Sequence, residues 1–216
     1  MPTVLSTKAL NRTQKNHLFN AGIGLVEYNA LIIQALKTKI KNQSIENAIF
    51  TSQNAVKLAL ANKINIKNAF CVGDKTAALL EQNDISLKAQ AEKASALAHL
   101  IIKKYPEKSF DFFCSKQRRD ELPVLLNQYD FKLTEHHVYK TVCNFKTFPQ
   151  QFDAILCFSP LGTKTYYDMH KHNTPAICIG QTTAETAKSY TNKVFIASKT
   201  SIESVLIKTI KYFNKI

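Results

Sequence analysis

Nine small or hydroxyl-bearing residues stand where apolar runs end: Thr51, Ser52, Gly73, Thr76, Ser115, Ser159, Gly180, Thr182 and Thr183. Ile155–Phe158 stops at Ser159-Pro160, and Ala176–Ile179 stops at Gly180-Gln181-Thr182-Thr183. An apolar run that ends this way and then turns helical is a strand feeding a helix N-terminus, where free backbone N–H groups hold an anion. The chemistry expected is a grip by N–H and hydroxyl groups. Other chemistries find less support. Gly73-Asp74-Lys75-Thr76 lacks the upstream glycine of a phosphate-binding loop. His136-His137 and His170-x-His172 lie on polar segments and read as solvated histidines, so no metal is expected. No ordered Ser-His-Asp set can be defended.

The elements that must position these residues alternate. Val4–Thr7, Ala48–Ser52, Asn68–Val72, Phe110–Ser115 and Val194–Ala197 read as strands. Asn11–Phe19, Gln53–Asn62, Ala77–Glu81, Ala89–Lys104, Arg118–Gln128 and Ser201–Phe213 read as helices. Leu25–Ile33 and Phe131–Val142 read as long extended segments, and Lys37–Gln43 as a helix end or connection. Strands alternating with helices at this spacing predict α/β architecture with parallel sheets.

The chain also repeats itself at a constant offset of 107 residues. Ser52 matches Ser159, Lys57 matches Lys164, Cys71 matches Cys178, Gly73 matches Gly180 and Thr76 matches Thr183. Two similar parallel-sheet α/β domains are therefore expected, with an active cleft between them. In such sheets ligands sit outside the carboxyl ends of the strands, where the hydroxyl-bearing residues fall.

Composition narrows the function classes. The chain has 216 residues, 45% of them hydrophobic, and a formal net charge of +13. Its cations are nearly all scattered lysines, with arginine only at Arg12, Arg118 and Arg119. Nucleic-acid binders cluster their basic residues or interleave arginine with aromatics, so an acidic small molecule is the better expectation. Lys8 and Arg12 arrive before any apolar signal segment could form, and Ala21–Leu36 is broken by Glu27, Asn29 and Gln34. A soluble, cytoplasmic chain without a membrane partner is expected. Four of the five cysteines (Cys71, Cys114, Cys157, Cys178) sit in strand-like runs and read as buried free thiols.

Six pieces in order carry a likeness to a known family: Ile49-Phe50-Thr51-Ser52-x-Asn54-Ala55-Val56, Val72-Gly73-x-x-Thr76-Ala77, Arg119-Asp120-x-Leu122-Pro123, Val138-Tyr139-Lys140-Thr141-Val142, Phe158-Ser159-Pro160, and Ile179-Gly180-x-Thr182-Thr183-Ala184. The chain resembles the uroporphyrinogen-III synthases over nearly its full length. The resemblance implies a fold crossed twice by the chain: residues 1–34 with 144–216 as one domain, 35–143 as the other, and a two-strand connector around Leu31 and Tyr139. It implies cyclisation of hydroxymethylbilane, a linear polycarboxylate, with loss of water and inversion of the last ring. It implies no cofactor and a monomer. Tyr139 matches the family tyrosine proposed to assist loss of hydroxide, with packing as an aromatic of the connector between the domains as its competing role, and the nine residues above become candidates to hold substrate carboxylates. Capping of their own helices is the competing role for Ser52, Thr76, Ser159 and Thr183. Lys8, Asn29-Ala30 and Ser115-Lys116 depart from the family pattern. A non-catalytic two-lobed binding protein for an anionic small molecule remains the alternative.

Overall fold

The computed structural model describes residues 1–38, 40, 42–105, 109–170 and 173–214. In chain order the elements are β1 (Thr3–Ser6), α1 (Arg12–Asn20), β2 (Gly24–Glu27), β3 (Leu31–Ala35), β4 (Ser44–Phe50), α2 (Gln53–Ala61), β5 (Asn65–Val72), α3 (Asp74–Glu81), β6 (Ser86–Ala91), α4 (Ala94–Lys104), β7 (Phe110–Ser115), α5 (Glu121–Gln128), β8 (Leu133–Cys143), β9 (Ala154–Cys157), α6 (Pro160–Tyr167), β10 (Ala176–Cys178), α7 (Gln181–Lys188), β11 (Val194–Ile196) and α8 (Ile202–Phe213). Lys39 and Lys41 of the basic connection, and His172 of the second histidine pair, lie outside the described residues. Among the described residues no helix is long and apolar enough to cross a membrane.

The chain divides into two compact units, Met1–Ile32 with Val142–Ile216, and Ile33–Thr141. The first holds a five-stranded sheet in the order β11-β10-β9-β1-β2, and its neighbouring strands pair in parallel. The second sheet has the order β3-β8-β7-β4-β5-β6, parallel from β8 to β6. The 107-residue offset lays α3 on α7 and β4-α2-β5 on β9-α6-β10. It also lays β1-α1-β2 on β7-α5-β8. The two sheets thus share one spatial order, although each takes its β-α-β piece from the other copy of the repeat.

Each sheet is covered on both faces because its strands alternate between two apolar sets. In the second unit Phe50, Cys71 and Phe113 face α2 and α3, meeting Val56 and Leu80. Ile49, Phe70 and Phe112 face the other way, against Leu97 of α4 and Leu126 of α5. In the first unit Ile155 and Cys157 meet Tyr166 of α6 and Ala184 of α7. Val4 and Leu156 meet Leu18 of α1 and Val205 of α8. The four strand cysteines are buried free thiols, as expected.

Two sequence expectations need correction. Ala89–Lys104 is not one helix: β6 ends at Ala91 and α4 begins at Ala94. Ala89 is buried between exposed Lys88 and Gln90, a strand alternation, and pairing with β5 outweighs the helix propensity of Ala, Lys and Gln. Leu25–Ile33 is likewise two strands, β2 and β3. Tyr28 and Ala30 separate them, donating their N–H groups to the carbonyls of Ser6 and Thr7 at 3.1 and 3.0 Å.

Candidate functional site

In the second unit the chain runs from β4 outward to β5 and β6, then returns to the other side of β4 to lay down β7 and β8. The direction of travel reverses between β4 and β7. Beyond the carboxyl ends of these strands the following helices diverge to opposite faces and leave a crevice. A cavity of about 690 Å³ lies there, within the usual range for small-molecule sites. Thr51, Ser52, Ser115 and Tyr139 all line it, so four of the ten residues singled out from sequence meet at one place.

Tyr139 is aimed by a β-bulge. Cys114 pairs with His137, but the next residue, Ser115, pairs with Tyr139, leaving Val138 as an extra residue on β8. On a regular strand Val138 and Tyr139 would face opposite sides; here both pack into the cluster of Phe50, Phe113 and Val56. The ring is held in that apolar layer with the residue 7% exposed. Its hydroxyl reaches Ser52 Oγ at 2.9 Å. Its carbonyl accepts from the Lys116 N–H at 2.8 Å. Further along the strand, the Gln117 side-chain amide substitutes for a missing neighbour. Its Nε2 donates to the Thr141 carbonyl and its Oε1 accepts from the Thr141 N–H, both at 3.0 Å. Ser115 fixes this loop in turn, accepting from the Gln117 N–H at 3.1 Å and donating to Gln117 Oε1 at 3.1 Å.

Ser52 has a second duty. It is the N-cap of α2, and its Oγ accepts from the Ala55 N–H at 3.3 Å. Two other helices begin at the cavity without such caps. Lys93 precedes α4 and Asp120 precedes α5, and neither side chain bonds the first turn. Ala94, the first residue of α4, lines the cavity, so the open N–H groups of that turn and the positive end of the helix lie beside it.

The cations at the cavity are of two kinds. Arg118 is committed: its Nη2 donates to Glu135 Oε1 at 2.6 Å, its Nε to Glu135 Oε2, and its Nη1 to Asp120. The pair raises the guanidinium pKa and holds the Glu135 carboxyl below the ordinary carboxylate range. Arg119 and Lys93 are exposed and have no ion-pair partner among the described residues. Lys93, Arg119 and Gln117 were not singled out from sequence as site residues. Lys93 follows the strand whose helix-forming composition hid it. Arg119 carried a usable signal, since it matches Arg12 at the 107-residue offset.

The remaining sequence candidates are placed differently. Gly73 begins α3 with φ +85°, and neither it nor Thr76 lines the cavity. Thr76 is 5% exposed. In the first unit Ser159 caps α6, accepting from the Gly162 N–H at 3.1 Å. Gly180 precedes α7 in extended conformation and supplies no side-chain cap. Thr182 is exposed and its carbonyl accepts from the Thr186 hydroxyl at 3.2 Å, while Thr183 is 2% exposed. The described histidines of the two pairs are occupied: His136 Nε2 bonds Asp111 at 2.6 Å, His137 bonds Glu135, and His170 bonds the Tyr166 carbonyl and the Phe148 N–H. Cys114, Glu135 and His137 lie close enough to share a cation, but Arg118 already takes both oxygens of Glu135.

The sequence profile described as Uroporphyrinogen-III synthase HemD matches residues 15–207. Among solved structures, the chain is similar to uroporphyrinogen-III synthetase from Helicobacter pylori, at 18% identity and a TM-score of 0.71 over 98% of this chain and 100% of that one. It is also similar to a mutant uroporphyrinogen III synthase from Thermus thermophilus, at 10% identity and a TM-score of 0.61 over 100% of each chain. No curated protein matches the sequence significantly. At such identities the solved structures speak for the fold; the profile speaks for the family.

Proposed function

This chain belongs to the uroporphyrinogen-III synthase family, and from that premise we propose that the cavity at the ends of β4 and β7 holds part of hydroxymethylbilane, with Tyr139 as the proton donor to its departing hydroxyl. The family's reaction makes the chain a cyclising lyase of tetrapyrrole biosynthesis, closing the linear tetrapyrrole to uroporphyrinogen III with loss of water. What the residues must supply is a grip on several carboxylates, help for a poor leaving group, and a bound geometry that favours ring inversion.

The observation that carries the reading is the Tyr139 hydroxyl, fixed by a bulge and by Ser52 at 2.9 Å, at the mouth of the strand ends. A phenol donates poorly at neutral pH. Its contribution therefore rests on position and on a partner for the phenolate it becomes. Arg119, Lys93 and the first turn of α4 suit the substrate's acetate and propionate groups, as cations without an ion-pair partner among the described residues and as N–H donors beside the cavity. Thr51, Ser52 and Ser115 add hydroxyl groups. In the first unit Ser159, Gly180 and Thr182, with Gly73 in the second, offer further N–H and hydroxyl contacts at helix starts, while Thr76 and Thr183, buried in their first turns, support those starts from within.

Tyr139→Phe tests this. It should lower kcat by about 100-fold, the lower end of general-acid contributions, with little change in KM and no loss of folded protein. Unchanged kcat would assign Tyr139 to packing alone.

A further inference from the structure

We propose that Ser52 is a positioning residue that sets the direction of the Tyr139 proton, in addition to capping its helix. The inference rests on the reading of Tyr139 as proton donor. Two observations carry it. Ser52 Oγ is 2.9 Å from the Tyr139 hydroxyl, and the same Oγ accepts from the Ala55 N–H at 3.3 Å.

A serine hydroxyl has one hydrogen and two acceptor sites. The Ala55 N–H occupies one acceptor site, so the serine hydrogen is free to turn toward Tyr139. When Ser52 donates to Tyr139, the phenol hydrogen must point elsewhere, and the open direction for a ring packed against Phe50 and Phe113 is the cavity. The geometry becomes obligatory once the proton is transferred. A phenolate is an acceptor only, so the Ser52 hydroxyl must then donate to it, in a charge-assisted bond stronger than the neutral one. Ser52 also stands at the positive end of α2, nine residues long, which favours negative charge on Tyr139.

Atoms and charge balance through the step. Tyr139 gives its proton to the hydroxyl of the hydroxymethyl group, the C–O bond breaks, and its electron pair leaves with water. The terminal pyrrole carries the positive charge. Closure with inversion then makes two new C–C bonds at the last ring and breaks the one that held it, consuming this charge; the one proton released as that ring regains aromaticity restores the phenol. Ser52 moves no atom in this sequence; it holds the phenol oxygen and the charge left on it.

The repeat provides an internal contrast. Ser159 caps α6 as Ser52 caps α2, but the residue matching Tyr139 at the 107-residue offset is Ile32. A cap alone therefore needs no phenol. The cap and the phenol are combined only in the second unit.

A double-mutant cycle separates this role from capping or substrate contact. Ser52→Gly removes the hydroxyl while leaving the N-cap nearly as favourable. It should lower kcat about tenfold in the otherwise unchanged enzyme and leave kcat unaltered when introduced into Tyr139→Phe. Ser52→Thr, which keeps both the cap and the donor, should retain most of kcat and serves if the glycine variant folds poorly. An equal fall from Ser52→Gly in both backgrounds would overturn the inference, since it would show action independent of Tyr139. Should Tyr139→Phe itself keep the full kcat, the reading of Tyr139 as donor fails instead.

Discussion

Arg118 and Arg119 are adjacent in sequence and opposite in electrostatic state. Arg118 is tied bidentately to Glu135 and also to Asp120, and Arg119 has no ion-pair partner among the described residues. A rigid, neutralised Arg118 holds the loop on which Arg119 is presented. Sequence showed two arginines and could not show which was committed, because Glu135 lies seventeen residues away on another strand. The ion pair has a pH signature. Arg118, opposed by desolvation, holds Glu135 below its ordinary value of 4.5. The stabilisation is then complete above that value and is lost as pH falls through the lower folded-state value. Glu135→Gln should therefore cost about 1–2 kcal/mol at neutral pH, and its urea midpoint should converge with that of the wild type in acid. A constant difference across the acid range would mean that packing, not charge, is lost.

At the scale of the element, repeat mates need not share a conformation. Gly73 and Gly180 occupy equivalent positions before α3 and α7. Gly73 has φ +85°, a region that L side chains rarely adopt; a Cβ on Gly180, whose φ is −170°, meets only Thr200 at 3.8 Å, an ordinary contact. Gly73→Ala should cost about 1–3 kcal/mol, whereas Gly180→Ala should be within about 0.5 kcal/mol of neutral, measured by thermal or urea unfolding. Equal costs would refute the distinction. The hydroxyl-ended strands and the starts of α2 and α6 were legible because Ser52 and Ser159 are strong caps in a clear apolar pattern. Strand β6 was not, since Ser86-Leu-Lys-Ala-Gln-Ala is built of good helix formers and is decided by pairing with β5. The bulge at Val138 was also hidden: no glycine or proline marks it, and only the register against Cys114 and Ser115 reveals it.

At the scale of the molecule, the tandem repeat and the folded units do not coincide. The second unit is one continuous stretch, Ile33–Thr141, whereas the first needs two, Met1–Ile32 and Val142–Ile216. Strand β9 lies between β1 and β10, and Val4 and Leu5 of β1 are fully buried. A fragment of residues 33–141 should therefore unfold cooperatively on its own, and a fragment of 142–216 should gain cooperative structure only when residues 1–32 are supplied; circular dichroism during urea unfolding distinguishes these. A cooperatively folded 142–216 fragment would contradict the assignment. The repeat was readable from identities such as Cys71 with Cys178, but the exchange of β-α-β pieces between copies is a matter of strand order, to which identities at a fixed offset are blind.

The net charge of +13 supplies a general attraction for a polycarboxylate substrate. The activity itself is tested most directly by one coupled reaction. Porphobilinogen and its deaminase are supplied with and without this protein, and the isomers of the oxidised product are separated. The type III isomer should form whenever the protein is present; a product containing only type I, as spontaneous closure gives, would contradict the synthase assignment.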